Sequence, residues 1–150
     1  MGANVAHCRS PATVAIRIAG KPGSCEEGVV SAARRVLHRQ RYNGYMSQPA
    51  FPTTSQVLQL EGPAGALEVA VDFPDVAVAR PLLAVVCHPL PTEGGTMHNK
   101  VVTMVARALR ELGATTVRFN FRGTGASAGE FDDGRGERDD LRAVVDWAQD

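Results

Sequence analysis

Residues able to do nucleophilic or acid–base chemistry concentrate in two short stretches of this sequence. Residues 88–95 read His-Pro-Leu-Pro-Thr-Glu-Gly-Gly, a histidine followed by a stretch rich in Pro and Gly. Residues 125–129 read Gly-Ala-Ser-Ala-Gly, which matches the Gly-x-Ser-x-Gly pattern of a serine nucleophile on a sharp turn. A serine, a base and firmly held backbone N–H groups are the parts that acyl transfer requires, because the N–H groups stabilise the developing oxyanion.

The elements around these stretches place both of them at one end of a sheet. Residues 82–87 form a continuous apolar run, typical of a strand buried on both faces. Apolar side chains recur at helical spacing through residues 99–112, and residues 115–121 are predicted to form a second strand. This order indicates a right-handed crossover with a parallel pair, in which the loops at the carboxyl ends of the strands carry the chemistry. Those loops begin at His88 and at Arg122.

Flanking segments extend this unit into a larger sheet. Residues 56–60 and 66–73, separated by a turn, predict an antiparallel hairpin with one solvated face. An apolar face that follows acidic side chains predicts a second helix over residues 137–148. The helix dipole favours those acids near its N-terminus, at Glu137, Asp139 and Asp140. The predicted fold class is α/β, with a mostly parallel sheet that begins with an antiparallel N-terminal hairpin.

Composition and charge exclude several classes of protein. The 150 residues are 44% apolar and 21% charged, as in ordinary globular proteins. The net charge is zero, but residues 1–45 are basic and residues 46–150 are acidic, so the larger part offers no electrostatic footprint for nucleic acid. No apolar run approaches the roughly 18–20 residues that span a membrane. Three cysteines without paired spacing favour a reducing, cytoplasmic location.

Residues 1–45 are predicted to be an extension outside the core. Arg17 interrupts the apolar run at residues 14–19, so the segment lacks the apolar centre of a signal peptide. Three interpretations are open: a disordered basic arm, an Arg-rich organelle-targeting peptide, or a misassigned start upstream of a true beginning at Met46. We favour the last, because the composition shifts at Met46 and the pattern beyond it is that of one domain.

Spacing disfavours metal and dinucleotide chemistry. The possible ligands Cys87, His88, Glu93 and His98 do not have the spacing of a compact metal-ligand set. Gly123 and Gly125 give Gly-x-Gly, but the third glycine of a dinucleotide-binding loop is missing and no helix begins there. We therefore expect no cofactor and no metal.

The two stretches together resemble those of a known family. Residues 88–102 and 119–131 are similar to two loops of the α/β-hydrolase superfamily, in its small esterase-like, dienelactone-hydrolase-like subgroup. The resemblance covers only the N-terminal portion of that fold. It implies an incomplete α/β-hydrolase fold over residues 46–150. It also implies hydrolysis of a carboxylic ester or related acyl bond through an acyl-serine, with a small-molecule ester or acyl compound as substrate.

The resemblance also implies roles for individual residues. The loop that follows the third strand of the family's fold supplies one backbone N–H to the oxyanion hole, from the residue two after His88, which is Leu90. The sequence agrees with this role, because Pro89 and Pro91 flank Leu90 and neither proline has an N–H to donate. His88, Pro89 and Arg122 are expected to be loop scaffolding beside the site.

Ser127 is expected to be a turn residue and not the nucleophile. A nucleophile elbow needs a strand before its first glycine and a helix directly after its serine, whereas residues 130–136 are predicted to be loop. The family order also places the acid and the histidine after the serine, and all four histidines precede Ser127. The resemblance implies that the whole catalytic triad lies beyond Asp150.

Two functional hypotheses fit these residues. In the first, the chain is a serine hydrolase truncated before its nucleophile and inactive alone, with a free strand edge and a separate chain carrying the missing C-terminal half as its partner. In the second, it is a non-catalytic α/β domain that binds a small molecule or a partner protein at the two loops.

Overall fold

The structure, a computed structural model, describes the backbone of residues 14–18 and, with side chains, residues 48–149. These residues form five strands and two helices in the following order: β1 (Val14–Ile18), β2 (Gln56–Gly62), β3 (Gly65–Asp72), β4 (Leu82–Val86), α1 (Lys100–Glu111), β5 (Thr115–Phe119) and α2 (Arg135–Trp147). Each strand and helix predicted from the sequence is present, and only the ends differ.

The strands form one mixed sheet in the order β1-β4-β5-β3-β2. Strands β4 and β5 are parallel, with Leu83 opposite Thr115, and α1 connects them. The three other pairs, β1–β4, β3–β5 and β2–β3, are antiparallel. The α/β class, the hairpin and the parallel crossover pair are thus confirmed. The described strands form a mixed sheet where a mostly parallel one was predicted, because the hairpin joins β5 through the antiparallel strand β3 and β1 is antiparallel to β4.

The two helices cover opposite faces of the sheet. Val85 and Val86 are neighbours on β4, so their side chains point to opposite faces. Val85 belongs to the larger apolar cluster, which contains Val144 of α2, whereas Val86 belongs to the cluster that contains Val102 of α1. The sheet is therefore covered by α1 on one face and by α2 on the other. In the part of the chain that the structure describes, no helix is long and apolar enough to cross a membrane.

A strand that the sequence does not predict pairs with the outer edge of β4. Val14–Ile18 runs antiparallel to β4, with Val14 opposite Val86 and Ile18 opposite Leu82. The truncated-hydrolase hypothesis included a free edge on a parallel strand, but the outer edge of the parallel strand β4 is covered by five residues of the predicted extension. The three interpretations of residues 1–45 otherwise fall outside the described residues, and they stay predictions together with the boundary at Met46.

Candidate active site

The His88 loop, defined as residues 88–95, follows β4 and is tied to the chain after β5 by the His88 ring. The ring Nδ1 donates a hydrogen bond to the Pro89 carbonyl (2.6 Å), and Nε2 accepts one from the Phe121 backbone N–H (3.0 Å). Burial lowers the pKa of His88 below its usual 6.5, which favours the neutral ring. His88 therefore has no ring nitrogen free to act as a general base, and it holds two neighbouring loops together.

Leu90 presents its backbone N–H in the His88 loop. Within residues 48–149 this N–H has no hydrogen-bond acceptor, whereas the Leu90 carbonyl accepts from the N–H groups of Glu93 and Gly95, both at 3.1 Å. Leu90 is 47% exposed although its side chain is apolar. A firmly held N–H without an internal partner is what an oxyanion donor requires. The donor role of Leu90 remains a prediction, and the local geometry is compatible with it.

Two glycines fix the path of the His88 loop. Gly94 has a φ of +78°, in the left-handed region that favours glycine, and its N–H donates to the Pro91 carbonyl at 3.0 Å. Gly95 has no room for a side chain, because a Cβ there would overlap the carbonyl oxygen of Pro89. The end of the loop thus packs directly on its beginning, which restricts the position of Leu90 between them.

A network centred on Asn120, which the sequence analysis missed, joins three segments of the site. Asn120 is 1% exposed, its Oδ1 accepts from the Met97 N–H (2.8 Å), and its Nδ2 donates to the Glu68 carboxylate (2.7 Å). The same Glu68 oxygen accepts the Ala126 N–H at 2.9 Å. Strand β3 and the chain segments after β4 and β5 are therefore held together by one buried amide. The sequence feature that could have identified Asn120 is its position directly after the apolar strand β5, at the end of the sheet where the site lies.

Ser127 is a structural residue of the Arg122 loop, defined as residues 122–129. Its hydroxyl donates to the Asn120 carbonyl (2.7 Å) and accepts from the Glu68 N–H (2.9 Å), and the residue is 8% exposed. No helix follows Ser127 directly, because α2 begins at Arg135. A serine nucleophile needs its proton directed at a base, whereas the Ser127 proton is directed at a backbone carbonyl. The turn role expected from the sequence agrees with these contacts.

Arg122 fastens its loop to α2 through a bidentate ion pair. The side-chain Nε and a terminal nitrogen donate to the Asp140 carboxylate at 3.0 and 2.7 Å, and the Arg122 backbone N–H donates to it at 3.1 Å. Asp140 is fully buried, and its hydrogen bonds raise the pKa of Arg122. A Cβ on Gly136 would overlap the guanidinium. Asp140, which we expected to complement the helix dipole, instead lies beyond the first turn of α2 and partners Arg122.

The remaining candidate side chains are not brought together. His98 and Glu93 are exposed, whereas Cys87 and His88 are buried. No group of three His, Cys, Asp or Glu side chains within residues 48–149 is arranged to hold a metal ion. Burial raises the pKa of the Cys87 thiol to about 12, so this cysteine packs as a small apolar side chain and is not a reactive thiolate.

Solved structures of α/β serine hydrolases are similar to this chain. One, from Xanthomonas campestris, is described as a serine hydrolase without a lid; it is 62% identical, has a TM-score of 0.61, and the match covers 67% of this chain and 47% of that one. A Coxiella burnetii α/β serine hydrolase homologue is 47% identical, with a TM-score of 0.58 and coverage of 67% and 48%. A protein of unknown function from Agrobacterium tumefaciens is 38% identical, with a TM-score of 0.55 and coverage of 63% and 42%.

The sequence comparison gives a shorter match. An uncharacterized protein of Rickettsia prowazekii, RP471, is 48% identical over 67 residues, which are 45% of this chain and 28% of that protein. No family model matches the chain. The chain covers just under half the length of the solved structures and about a quarter of the curated relative. These likenesses, with the sheet order, show that the chain is related to the α/β serine hydrolases and has part of the α/β-hydrolase fold.

Proposed function

We propose that this chain forms the oxyanion-binding part of a serine hydrolase that cleaves a carboxylic ester or a related acyl bond. The observation that carries the proposal is the Leu90 N–H, which lies between two prolines and has no acceptor within residues 48–149. Such a donor stabilises the negative charge that develops on the carbonyl oxygen when a serine attacks. Loss of one oxyanion donor typically lowers kcat by about 10²–10³.

In this proposal the chain positions the donor, and the nucleophile comes from the part of the domain that the chain does not match in its relatives. The serine attacks the acyl carbon, the alcohol leaves, and water then hydrolyses the acyl-serine. His88 holds the loop that carries Leu90, and Arg122 fastens the neighbouring loop to α2 through Asp140. A small-molecule ester is the substrate class, no cofactor is needed, and the setting is the cytoplasm.

A hybrid enzyme tests the proposal. Residues 46–150 of this chain replace the matching segment of the Xanthomonas hydrolase, and hydrolysis of p-nitrophenyl acetate is measured. We expect turnover that persists after Ser127→Ala within the grafted segment. The control is the 150-residue chain alone, for which we expect no turnover.

Two results would contradict the proposal. A folded hybrid without turnover would favour the alternative function, a non-catalytic domain that binds a small molecule or partner at the two loops. Turnover abolished by Ser127→Ala in a hybrid that remains folded would make Ser127 the nucleophile, against the hydrogen bonds that occupy its hydroxyl.

A further inference from the structure

The outer edge of β4 is paired with a strand from far away in the sequence. β1 lies antiparallel to β4 over five residues, from Val14 opposite Val86 to Ile18 opposite Leu82. Three β4 residues along this edge, Ala84, Val85 and Val86, are buried. Without a partner, such an apolar strand would expose unpaired N–H and C=O groups that invite pairing with other chains.

The arrangement of the helices indicates which other strand suits this edge. The chain passes from β4 through α1 to β5 on one face of the sheet, and α2 follows β5 on the opposite face. Crossovers between parallel strands are almost always right-handed. Since α1 on one face leads from β4 to β5, α2 on the opposite face leads a following parallel strand the other way across the sheet, from β5 toward β4. The position next to β5 on that side is already occupied by β4. The first position open to a strand that follows α2 is therefore the outer edge of β4, where β1 lies.

The relatives contain chain that can supply such a strand. This chain covers 47% of the Xanthomonas structure and 48% of the Coxiella structure, so about half of each lies outside the matched part. A strand that follows α2 in a complete domain would run parallel to β4 and bind the same backbone groups that β1 now binds. The two strands therefore exclude each other.

We propose that β1 is an exchangeable edge strand, which covers the outer edge of β4 until the strand that follows α2 in the complete hydrolase domain displaces it. The inference rests on the proposed function only in taking this chain as part of such a domain. It adds a role for residues 14–18, which keep the sheet edge closed and compete with completion of the domain.

The replacement of β1 at the edge of β4 can be measured as binding of the part of a hydrolase domain that this chain does not cover. The probe is the fluorescently labelled part of the Xanthomonas hydrolase that this chain does not match. A first variant, Ala15→Pro with Ile16→Pro, removes an N–H directed at β4, because successive N–H groups point to opposite sides of a strand. Its matched control, Ala15→Thr with Ile16→Val, keeps residues that favour strands.

A second variant locks β1 in place. Ile18→Cys and Leu82→Cys are directly opposite in the register, which suits a disulfide between antiparallel strands. Cys8 and Cys25 are replaced by serine in every form, whereas buried Cys87, with a pKa of about 12, is retained because it is poorly reactive. Reduction of the same protein provides the unlocked control.

We expect the proline variant to bind the probe at least about tenfold more tightly than the native chain. In the native chain, the state in which β1 is paired with β4 competes with the probe and lowers its apparent affinity, and the proline variant disfavours that state. The oxidised disulfide variant should bind at least about tenfold more weakly and recover on reduction. Equal affinities of the native, proline and oxidised forms would overturn the proposal, and so would a proline variant that does not bind.

Amide hydrogen exchange checks the pairing in the chain by itself. The β4 amides that face β1 should exchange faster in the proline variant than in its matched control. Unchanged exchange would also overturn the proposal. Probe binding and amide hydrogen exchange are both independent of ester hydrolysis. A negative result for the replacement of β1 by another strand can therefore be distinguished from a loss of hydrolase activity in the hybrid enzyme.

Discussion

The His88 loop and the Arg122 loop leave neighbouring parallel strands at the same end of the sheet, yet their polar groups are used differently. In the Arg122 loop, the Ser127 hydroxyl and the Arg122 guanidinium are both bound within the fold. In the His88 loop, the His88 ring is bound in the same way, but the Leu90 N–H has no acceptor among residues 48–149.

This contrast shows that residue type alone does not identify a catalytic group. Ser127 lies in a perfect Gly-x-Ser-x-Gly match, but its hydroxyl is bound within the turn. Leu90 has an inert side chain, but its backbone N–H has no acceptor within residues 48–149 and is therefore available for the proposed oxyanion role. The hydrogen bonds that a group has already made decide whether it is available to a substrate.

The largest loss of stability is expected from breaking the Arg122–Asp140 pair, which fixes the Arg122 loop. Arg122→Ala leaves the Asp140 carboxylate buried without its cation, so we expect the free energy of unfolding to fall by about 3–5 kcal/mol in urea denaturation. The control is Arg142→Ala, whose pair with Asp139 is exposed and should contribute less than about 1 kcal/mol. Equal losses would mean that the buried pair does not hold the Arg122 loop.

The rigidity of the His88 loop is tested by its two glycines. Gly95→Ala forces a Cβ onto the Pro89 carbonyl, and we expect a loss of about 1–3 kcal/mol in the free energy of unfolding. Gly94→Ala meets no atom within 4 Å and adds only the strain of its positive φ, about 1 kcal/mol. If thermal or urea unfolding shows Gly95→Ala to be the milder change, the tight closure around Leu90 is wrong.

Ser127→Ala should lower the stability of this chain, although we expect turnover of the hybrid enzyme to persist after the same change. It removes the partner of the Glu68 N–H and of the Asn120 carbonyl, which costs about 1–3 kcal/mol for buried groups left unpaired. Ser55→Ala removes a comparable but exposed bond to the Phe73 N–H and should cost about 0.5–1 kcal/mol. Urea unfolding of both variants measures the difference, and a Ser127 variant as stable as the Ser55 variant would contradict the structural role.

The smallest effect is a pH dependence that comes from His88. Burial lowers the folded-state pKa of His88, so the unfolded chain binds a proton more readily than the folded chain. The contribution to stability is complete above pH 6.5 and is lost as the pH falls through the folded-state pKa. Urea unfolding measured across this pH range should show that the free energy of unfolding depends less steeply on pH in His88→Gln than in the native chain. Equal pH dependence in the two proteins would mean that His88 is not held neutral.

The sequence alone was sufficient to predict strands and helices whose residues follow a local repeating pattern. The apolar run at residues 82–87 and the helical spacing at residues 99–112 predict β4 and α1, because each pattern repeats with the period of its own structure. Leu90 became a candidate through the family resemblance, and the two adjacent prolines, which have no N–H to donate, agree with that assignment.

Other features depend on contacts between distant residues. The pairing of β1 with β4 and the bond between Asn120 and Glu68, 52 residues apart, leave no periodic pattern. Asp140 is acidic near a helix start, which suggested a dipole interaction, and only the folded chain brings it to Arg122. Such pairings are set by tertiary packing, so local spacing does not predict them.

The most direct test of the central claim removes the Leu90 N–H itself. Leu90 has a φ of −46° and a ψ of 122°, close to the conformation of proline, so Leu90→Pro deletes the donor with little strain. Leu90→Ala keeps the donor and serves as the matched control. In the hybrid enzyme we predict that Leu90→Pro lowers kcat for p-nitrophenyl acetate by about 10²–10³ relative to Leu90→Ala, with KM nearly unchanged. Equal kcat values for the two variants would contradict the assignment of Leu90 as the oxyanion donor.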